Sequence, residues 1–515
     1  MYNHHKRKAQ VGSRLKLSIF VVLISLSLFS PADAKKAHHF TIIQMNDVYE
    51  IFPVPTYVSG HFEPRGGFAY AGTLIREARE RGPVLFLHAG DFLSPSLLSI
   101  RFKQKGAHMV AALGALGLDV VTFGNHEFDF GCQVLADRIK ESRFDWVSAN
   151  VNLPKELGVS SRKVVPYRIK NIAGLRVGIF GLTIPLQPID CKGSAITFDD
   201  PMETAKEMVI QLRRERVDLM IALTHLAMED DRRLALAYPD IDFIVGGHDH
   251  EEMVELVGKT LITKAGANAA GLGLIGVKAA RTSPNLVVEK SWRTEPVDPK
   301  RIQPDAALTK ALEPYAKQLE GLSGVIGRAE VPIDIREKTV REGESNFGNY
   351  VADLMRKELQ TDIGLVNGGA FRGDRIIPAG PLTLEDLDTI LLFDNQLVVI
   401  PVKGEDLLRC LENGVSLAGE RAGRFPQVSG ISFSFDATLP VGQRILQVKV
   451  GGVPLDLQKI YTMVTTDFLV GHGNMDGYEL PDEIIQTGGD LNELIMRNIG
   501  RTPIRNVVEG RIVKE

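Results

Sequence analysis

Five times between residues 40 and 250 a short apolar run of strand character breaks off into polar residues, and a helix-like stretch follows. Residues 41–45 run into Asn46, Asp47 and Tyr49, and residues 84–87 into His88 and Asp91. Residues 120–123 lead to GNHEFDFG at 124–131, residues 219–223 to Thr224 and His225, and residues 243–245 to GGHDH at 246–250. Between them, residues 71–81, 109–116 and 202–216 place apolar side chains at helical spacing. Unbroken apolar runs alternating with such helices predict an α/β fold in layers, with strands buried on both faces. The pattern stops near Glu295. Pro296, Pro299 and Pro304 precede a charged amphipathic segment, 305–320, which Gly321 and Gly324 close. It reads as a linker helix, expected to kink or restart near Glu313, because Pro314 lacks an amide donor and crowds the preceding turn. A second α/β body follows. The predicted division is 38–297, linker 298–324, and 325–515.

A chain of 515 residues is too long for one core. The formal charge of −4 makes no broad electrostatic case for nucleic acid. Residues 1–34 stand apart: Lys6, Arg7, Lys8, Arg14 and Lys16 form a basic leader, residues 15–29 an apolar core, and Pro31-Ala32-Asp33-Ala34 a small-residue cleavage site. A membrane anchor needs about 18 or more consecutive apolar residues, so this is read as a secretory signal peptide. Its removal takes five of 60 basic residues and one of 64 acids, leaving a charge of −8. The expected product is periplasmic or secreted, without a stable membrane span. Of Cys132, Cys191 and Cys410 at most one pair can form; a Cys132–Cys191 bridge and buried free thiols both remain open.

In such sheets ligands bind beyond the carboxyl ends of the strands. A lone Asp or His there is commonly a helix cap or a satisfied core group. The weight lies in the convergence of Asp47, Asp91, Asn125, His225, His248 and His250, an inventory that fits two divalent ions sharing one carboxylate. Two such ions can orient a water, lower its pKa and neutralise phosphate oxygens. Mixed oxygen and imidazole ligands suit zinc, manganese or iron better than magnesium alone. His126, with Asp129 three residues on, supplies an imidazole that a carboxylate can keep protonated for a leaving alkoxide.

The order Asp47, Gly90-Asp91, GNHE at 124–127, His225 and GGHDH resembles the calcineurin-like metallophosphoesterases, and the full GNHEFDFG narrows the resemblance to their secreted 5′-nucleotidase branch, which includes bacterial UDP-sugar hydrolases. The resemblance implies a four-layer β-sandwich flanked by helices. It implies Asp47, Asp91 and His250 around one metal, and Asp91, Asn125, His225 and His248 around the other, with His126 and Asp129 as catalytic dyad. One position departs: the family's Asp-x-His reads Asp47-Val48-Tyr49 here. Tyr49 is then either a phenolate ligand, which suits iron, or a bystander.

In the second half, NGGAFRGD at 367–374 follows an apolar run and offers backbone donors, the Asn367 amide and Arg372 to an anion. Arg341 stands ahead of a helix start at 345–349. Phe425 and Phe468 lie in polar, glycine-bearing loops; two facing rings would sandwich a base for about 1–3 kcal/mol. The same family carries a C-terminal nucleotide-specificity domain with an NGG-x-x-R loop and two stacking phenylalanines. The resemblance, spanning about residues 40–512, thus implies Arg341, Asn367 and Arg372 on nucleoside or phosphate, Phe425 and Phe468 on the base, and Asp476 on the ribose. Departures here are the long 471–475 stretch and the Leu392-Phe393-Asp394-Asn395 turn, which replaces a Pro-Phe. A hinge near the linker is implied. The expected activity is hydrolysis of nucleoside 5′-monophosphates. UDP-sugar hydrolysis, 2′,3′-cyclic-nucleotide phosphodiesterase activity and nucleotide binding with reduced catalysis stand as alternatives.

Overall fold

The structure, a computed structural model, describes residues 37–515 apart from 59–60, 95–97, 100–103, 283–284, 321–323, 394 and 471–475. The leader expected at 1–34, the 471–475 stretch and Asp394 lie outside the described residues.

Strands β1 (His38–Met45), β2 (Val84–His88), β3 (Val120–Val121), β4 (Asp145–Val147) and β5 (Val164–Val165) pair in parallel, each with the next. The chain then builds a second sheet from β6 (Tyr167–Ile172), β7 (Leu175–Thr183), β8 (Leu219–His225), β9 (Phe243–Gly246), β10 (Glu252–Val257) and β11 (Thr260–Ala265). A long hairpin, β12 (Gly271–Thr282) and β13 (Asn285–Pro296), returns to lay β12 antiparallel on β1 and completes a seven-stranded first sheet.

Side-chain alternation explains why both sheets are apolar throughout. Ile42, Leu85 and Leu87 meet Val177, Ile179, Ile221 and Val245 in a core between the sheets. Their neighbours Ile43, Met45 and Phe86 face the other way, onto α1 (Phe68–Arg81), α2 (Ala107–Leu116) and α3 (Gly131–Glu141). Phe180 and Leu182 likewise cover α4 (Pro201–Arg214) and α5 (Met228–Ala237). The result is four layers, helix, sheet, sheet, helix. Asp200 starts α4 by accepting from the amides of Met202 and Glu203, both at 2.9 Å, ahead of Pro201, a cap worth about 1 kcal/mol.

Register brings the strand ends level. Met45 lies beside His88, His88 beside Val121, and Thr224 beside Gly246. The residues that follow β1, β2, β3, β8 and β9 therefore gather at one edge. A disulfide, Cys132–Cys191, fastens the start of α3, directly after the 124–131 motif, to a distant loop; Cys410 is a buried free thiol.

The linker helix does not restart near Glu313. Residues Ala306–Glu320 form one helix, α6, that continues through Pro314. It does not stand free: Leu308 and Leu312 are buried in the core shared with α1 and α2. Burying two leucines gains about 1.5–3 kcal/mol each, enough to offset the roughly 3 kcal/mol cost of an interior proline.

Beyond it, α7 (Asn346–Leu359) precedes β14 (Ile363–Asn367) and β15 (Gln396–Lys403), then α8 (Gly404–Gly414), β16 (Pro426–Ser429), β17 (Ile431–Phe435), β18 (Ile445–Val450), β19 (Ile460–Thr466), β20 (Gln486–Asp490) and α9 (Leu491–Ile499). A five-stranded sheet runs β16–β14–β19–β15–β20. Val366 and Val399 pack on α7 and α9, while Leu365 and Ile400 pack on α8 and the sheet carrying β17 and β18. No helix among the described residues is long and apolar enough to cross a membrane.

Candidate active site

The strand-end loops bring Asp47, Asp91, His225 and His250 together. Asp47, Asp91 and His225, each at most 1% exposed, offer ligand atoms within 4.8 Å of one another. His225 Nε2 lies 3.2 Å from Asp91 Oδ2 and 3.9 Å from Asp47 Oδ1, and His250 Nε2 lies 3.4 Å from Asp47 Oδ1. Each side chain is aimed by a second contact. His225 Nδ1 meets the Ala89 carbonyl at 2.7 Å, turning Nε2 toward the carboxylates. Asp47 Oδ2 accepts from Asn46 Nδ2 at 2.8 Å and the His248 amide at 2.9 Å. Glu127 clasps two loops by accepting from the amides of Asp91 (2.8 Å), Phe92 (2.8 Å), Leu93 (3.1 Å) and Gly124 (2.5 Å).

This pocket fits metal. Asn125 Oδ1 is buried without a hydrogen-bond partner among the described residues, and Asp47 Oδ1 and His225 Nε2 have only ion-pair contacts with the neighbouring ligand residues, which is costly unless a cation meets them. Burial opposes charge on His225, yet Asp91 and Asp47 push it up to about 10; a proton there does the neutralising that a metal ion would. The backbone is strained at four of the expected ligands: Asp47, Asp91, His248 and His250 have φ of 53°, 60°, 82° and 54°, a left-handed conformation costing roughly 1–2 kcal/mol for a non-glycine residue. Gly247 must lack a side chain, since a Cβ would lie 2.5 Å from the Ala89 carbonyl oxygen and 2.9 Å from His225 Nδ1.

His126 Nδ1 lies 2.8 Å from Asp129 Oδ2, which also accepts from Ser94 Oγ at 2.8 Å. Its Nε2 is 4.0 Å from Asp91 Oδ2. Burial would lower the imidazole pKa, but Asp129 and Asp91 outweigh it and raise it. Tyr49 is 7% exposed, and its hydroxyl donates to Asp91 Oδ2 at 3.3 Å and lies 3.0 Å from His250 Nε2. Burial, Asp91 and Asp47 hold this phenol well above its usual pKa.

The second domain closes over this centre. Glu337 Oε1 lies 3.8 Å from His250 Nδ1 and is paired with Arg341 at 2.8 Å. The Arg372 guanidinium sits 5.7 Å from the Tyr49 ring centre and 6.0 Å from that of Phe393. Phe393 in turn stacks toward His126 at 6.5 Å. Further along the cleft, Asn367 Nδ2 donates to Asp476 Oδ2 at 2.5 Å.

The expected pair of base-stacking rings is not formed. Phe425 is 1% exposed and meets Phe435 edge-on at 5.9 Å, and Phe468 is half-buried against the same apolar cluster. The reason lies in the register: Pro426 pairs with Asn367, so Phe425 enters β16 at its core side. Sequence reasoning missed Glu337, and Phe393 as a neighbour of His126. Tyr478, two residues beyond Asp476, is 1% exposed in the same apolar cluster as Phe425 and donates to the Arg424 carbonyl.

Strand-end carboxylates and imidazoles, orphaned and strained at one sheet edge, define a metallophosphoesterase centre, and comparison with known proteins agrees. The family model for calcineurin-like phosphoesterases matches residues 40–252, and that for the 5′-nucleotidase C-terminal domain matches 325–480. A solved 5′-nucleotidase precursor from Thermus thermophilus is 32% identical, covers 92% of this chain and 99% of its own, and superposes with a TM-score of 0.84. Snake venom 5′-nucleotidase from Gloydius brevicauda is 27% identical over 532 residues, covering 93% of this chain and 89% of its own length. A trifunctional nucleotide phosphoesterase from Bacillus subtilis is 29% identical over 494 residues, 85% of this chain; the chain spans only 33% of that protein's length. The chain belongs to the 5′-nucleotidase family and is a phosphoester hydrolase of a metal-dependent kind.

Proposed function

We propose that this protein is a periplasmic or secreted 5′-nucleotidase that hydrolyses nucleoside 5′-monophosphates to nucleoside and phosphate. The observation that carries the proposal is the approach of Arg372, from the second domain, to the Tyr49 ring beside the acidic centre of the first. A phosphate held there has its nucleoside directed along the cleft toward Asn367 and Asp476. Asp47, Asp91 and His250, with Tyr49 at their edge, would hold one divalent ion; Asp91, Asn125, His225 and His248 would hold a second, zinc or manganese. Bound there, two ions supply Lewis-acid neutralisation of the phosphate and activation of the attacking water. Arg372 and Arg341 add positive charge, and His126, held by Asp129, gives its proton to the leaving 5′-oxygen. The Tyr49 hydroxyl is close to both Asp91 and His250 but is held protonated by burial and the two carboxylates; a ligand role, and with it iron in the first position, requires a bound ion to displace that proton. The leader at 1–34 and the venom relative support export.

A second, less selective reading, consistent with the burial of Phe425, includes UDP-sugars and 2′,3′-cyclic nucleotides. Phosphate release from AMP and p-nitrophenyl phosphate directly, and from UDP-glucose and 2′,3′-cyclic AMP after a phosphomonoesterase, separates the two. AMP as the poorest substrate would overturn the first reading.

A further inference from the structure

Beneath the histidine loops lies an ammonium group that the chemistry above does not use. Lys264, near the end of β11, is 0% exposed. Its Nζ donates to the carbonyls of Leu226 at 2.6 Å and Gly247 at 2.7 Å, lies 3.1 Å from Asp231 Oδ2, and is ion-paired with Asp249. Asp231, on α5 and also 0% exposed, accepts from Thr224 Oγ1 at 2.8 Å through its other oxygen. Thr224 and Leu226 flank His225; Gly247 and Asp249 flank His248, and Asp249 precedes His250.

We infer that Lys264 is a positioning residue for the metal centre, its buried ammonium locking the loops of His225, His248 and His250 into ligand geometry through Asp231, Asp249 and two carbonyls. The inference rests on the reading of those histidines as ligands. A buried ion cluster is a poor device for stability alone, because well-packed apolar residues commonly do as well or better. All the oxygens around this ammonium belong to, or are bonded to, ligand-bearing loops. The segment it holds needs holding: His248 and His250 both sit at positive φ, conformations that persist only where the surroundings over-determine them. Asp231 and Asp249, against the opposing effect of burial, keep Lys264 charged.

The test is calorimetric titration of the metal-stripped full chain with manganese(II) chloride, comparing Lys264→Met, Asp249→Asn and His248→Ala with the parent, alongside metal-free melting temperatures and AMP kinetics at saturating manganese. Lys264→Met should weaken manganese about 10- to 100-fold and lower kcat with little change in KM. Asp249→Asn, on a partly exposed side chain, should keep the metal-free melting temperature and weaken manganese about threefold to tenfold. Should Lys264→Met fail to fold, Asp249→Asn decides. Parental affinity in Asp249→Asn, with affinity lost in His248→Ala, overturns the inference. Parental affinity in His248→Ala overturns the ligand reading itself, and the inference with it.

Discussion

Replacing Asp129 by Asn tests the proton path directly. The carboxylate lies 2.8 Å from His126 Nδ1 and also accepts from Ser94, and an amide oxygen can keep both contacts while removing the charge. A hydrogen bond to an ionised partner is worth about 1.5–3 kcal/mol, or roughly 1–2 pKa units on the imidazole. The sign follows from the surroundings: burial pulls the His126 pKa down, and Asp129 with Asp91 holds it up. Losing Asp129 leaves burial opposed mainly by Asp91 at 4.0 Å from Nε2, so the pKa falls. A general acid works only while protonated, so the alkaline limb of the kcat profile should move about 1–2 pH units toward acid. At pH 8 hydrolysis of AMP, whose alkoxide needs the proton, should fall about 10- to 100-fold. Hydrolysis of p-nitrophenyl phosphate, whose phenolate leaves unaided, should fall only a few-fold. Phosphate release from both substrates across pH at saturating metal is the assay. An unmoved alkaline limb, or equal losses on the two substrates, refutes the assignment of His126 as acid.

Tyr49→His should raise manganese affinity and turnover at limiting metal about tenfold; unchanged titrations and kinetics would make Tyr49 a bystander. Arg372→Ala removes a charged partner of the phosphate worth about 1.5–3 kcal/mol, so kcat/KM for AMP should drop roughly 10- to 100-fold, and an unchanged value would place the phosphate elsewhere. Thiol titration of the native chain at pH 8 should find no reactive group, since burial pushes Cys410 up to about 12. The unfolded chain should show one thiol unreduced and three after reduction. Breaking the bridge with Cys132→Ser and Cys191→Ser should cost about 2–4 kcal/mol in denaturant melts, its loop of 59 residues being long.

How far the chain could be read in advance depended on where each signal resides. Layering was legible because each strand carries apolar residues on both faces, as with Ile42 and Ile43 or Ile179 and Phe180. The centre was legible because its residues sit directly after those strands. Lys264 was not, since a lysine in an apolar run reads as an edge or an error until the oxygens around it, drawn from residues 226 to 249, are seen together. Phe425 misled for the opposite reason. Its flanking glycine and arginine suggest an open loop, whereas the pairing of Pro426 with Asn367, about sixty residues away, sends the ring into the core. The unbroken run of α6 through Pro314 was not legible because it depends on the leucines that dock the helix, not on local backbone chemistry alone.

The contacts that hold the two domains over the centre are individually weak. Arg421 pairs with Glu251 across the cleft, but the two side chains are 43% and 49% exposed, and such pairs contribute about 0–1 kcal/mol. Glu337 approaches His250 only to 3.8 Å, already spending its charge on Arg341. Phe393 and Arg372 meet His126 and Tyr49 at ring distances of 5.7–6.5 Å, packed side by side. An anion between Arg372 and the acidic centre would strengthen closure more than any of these, because it alone links a buried cation on one domain to the metal site on the other. On the proposed function, substrate phosphate would be both the group that reacts and the main adhesive between the domains. Its departure leaves only weak polar contacts to resist opening.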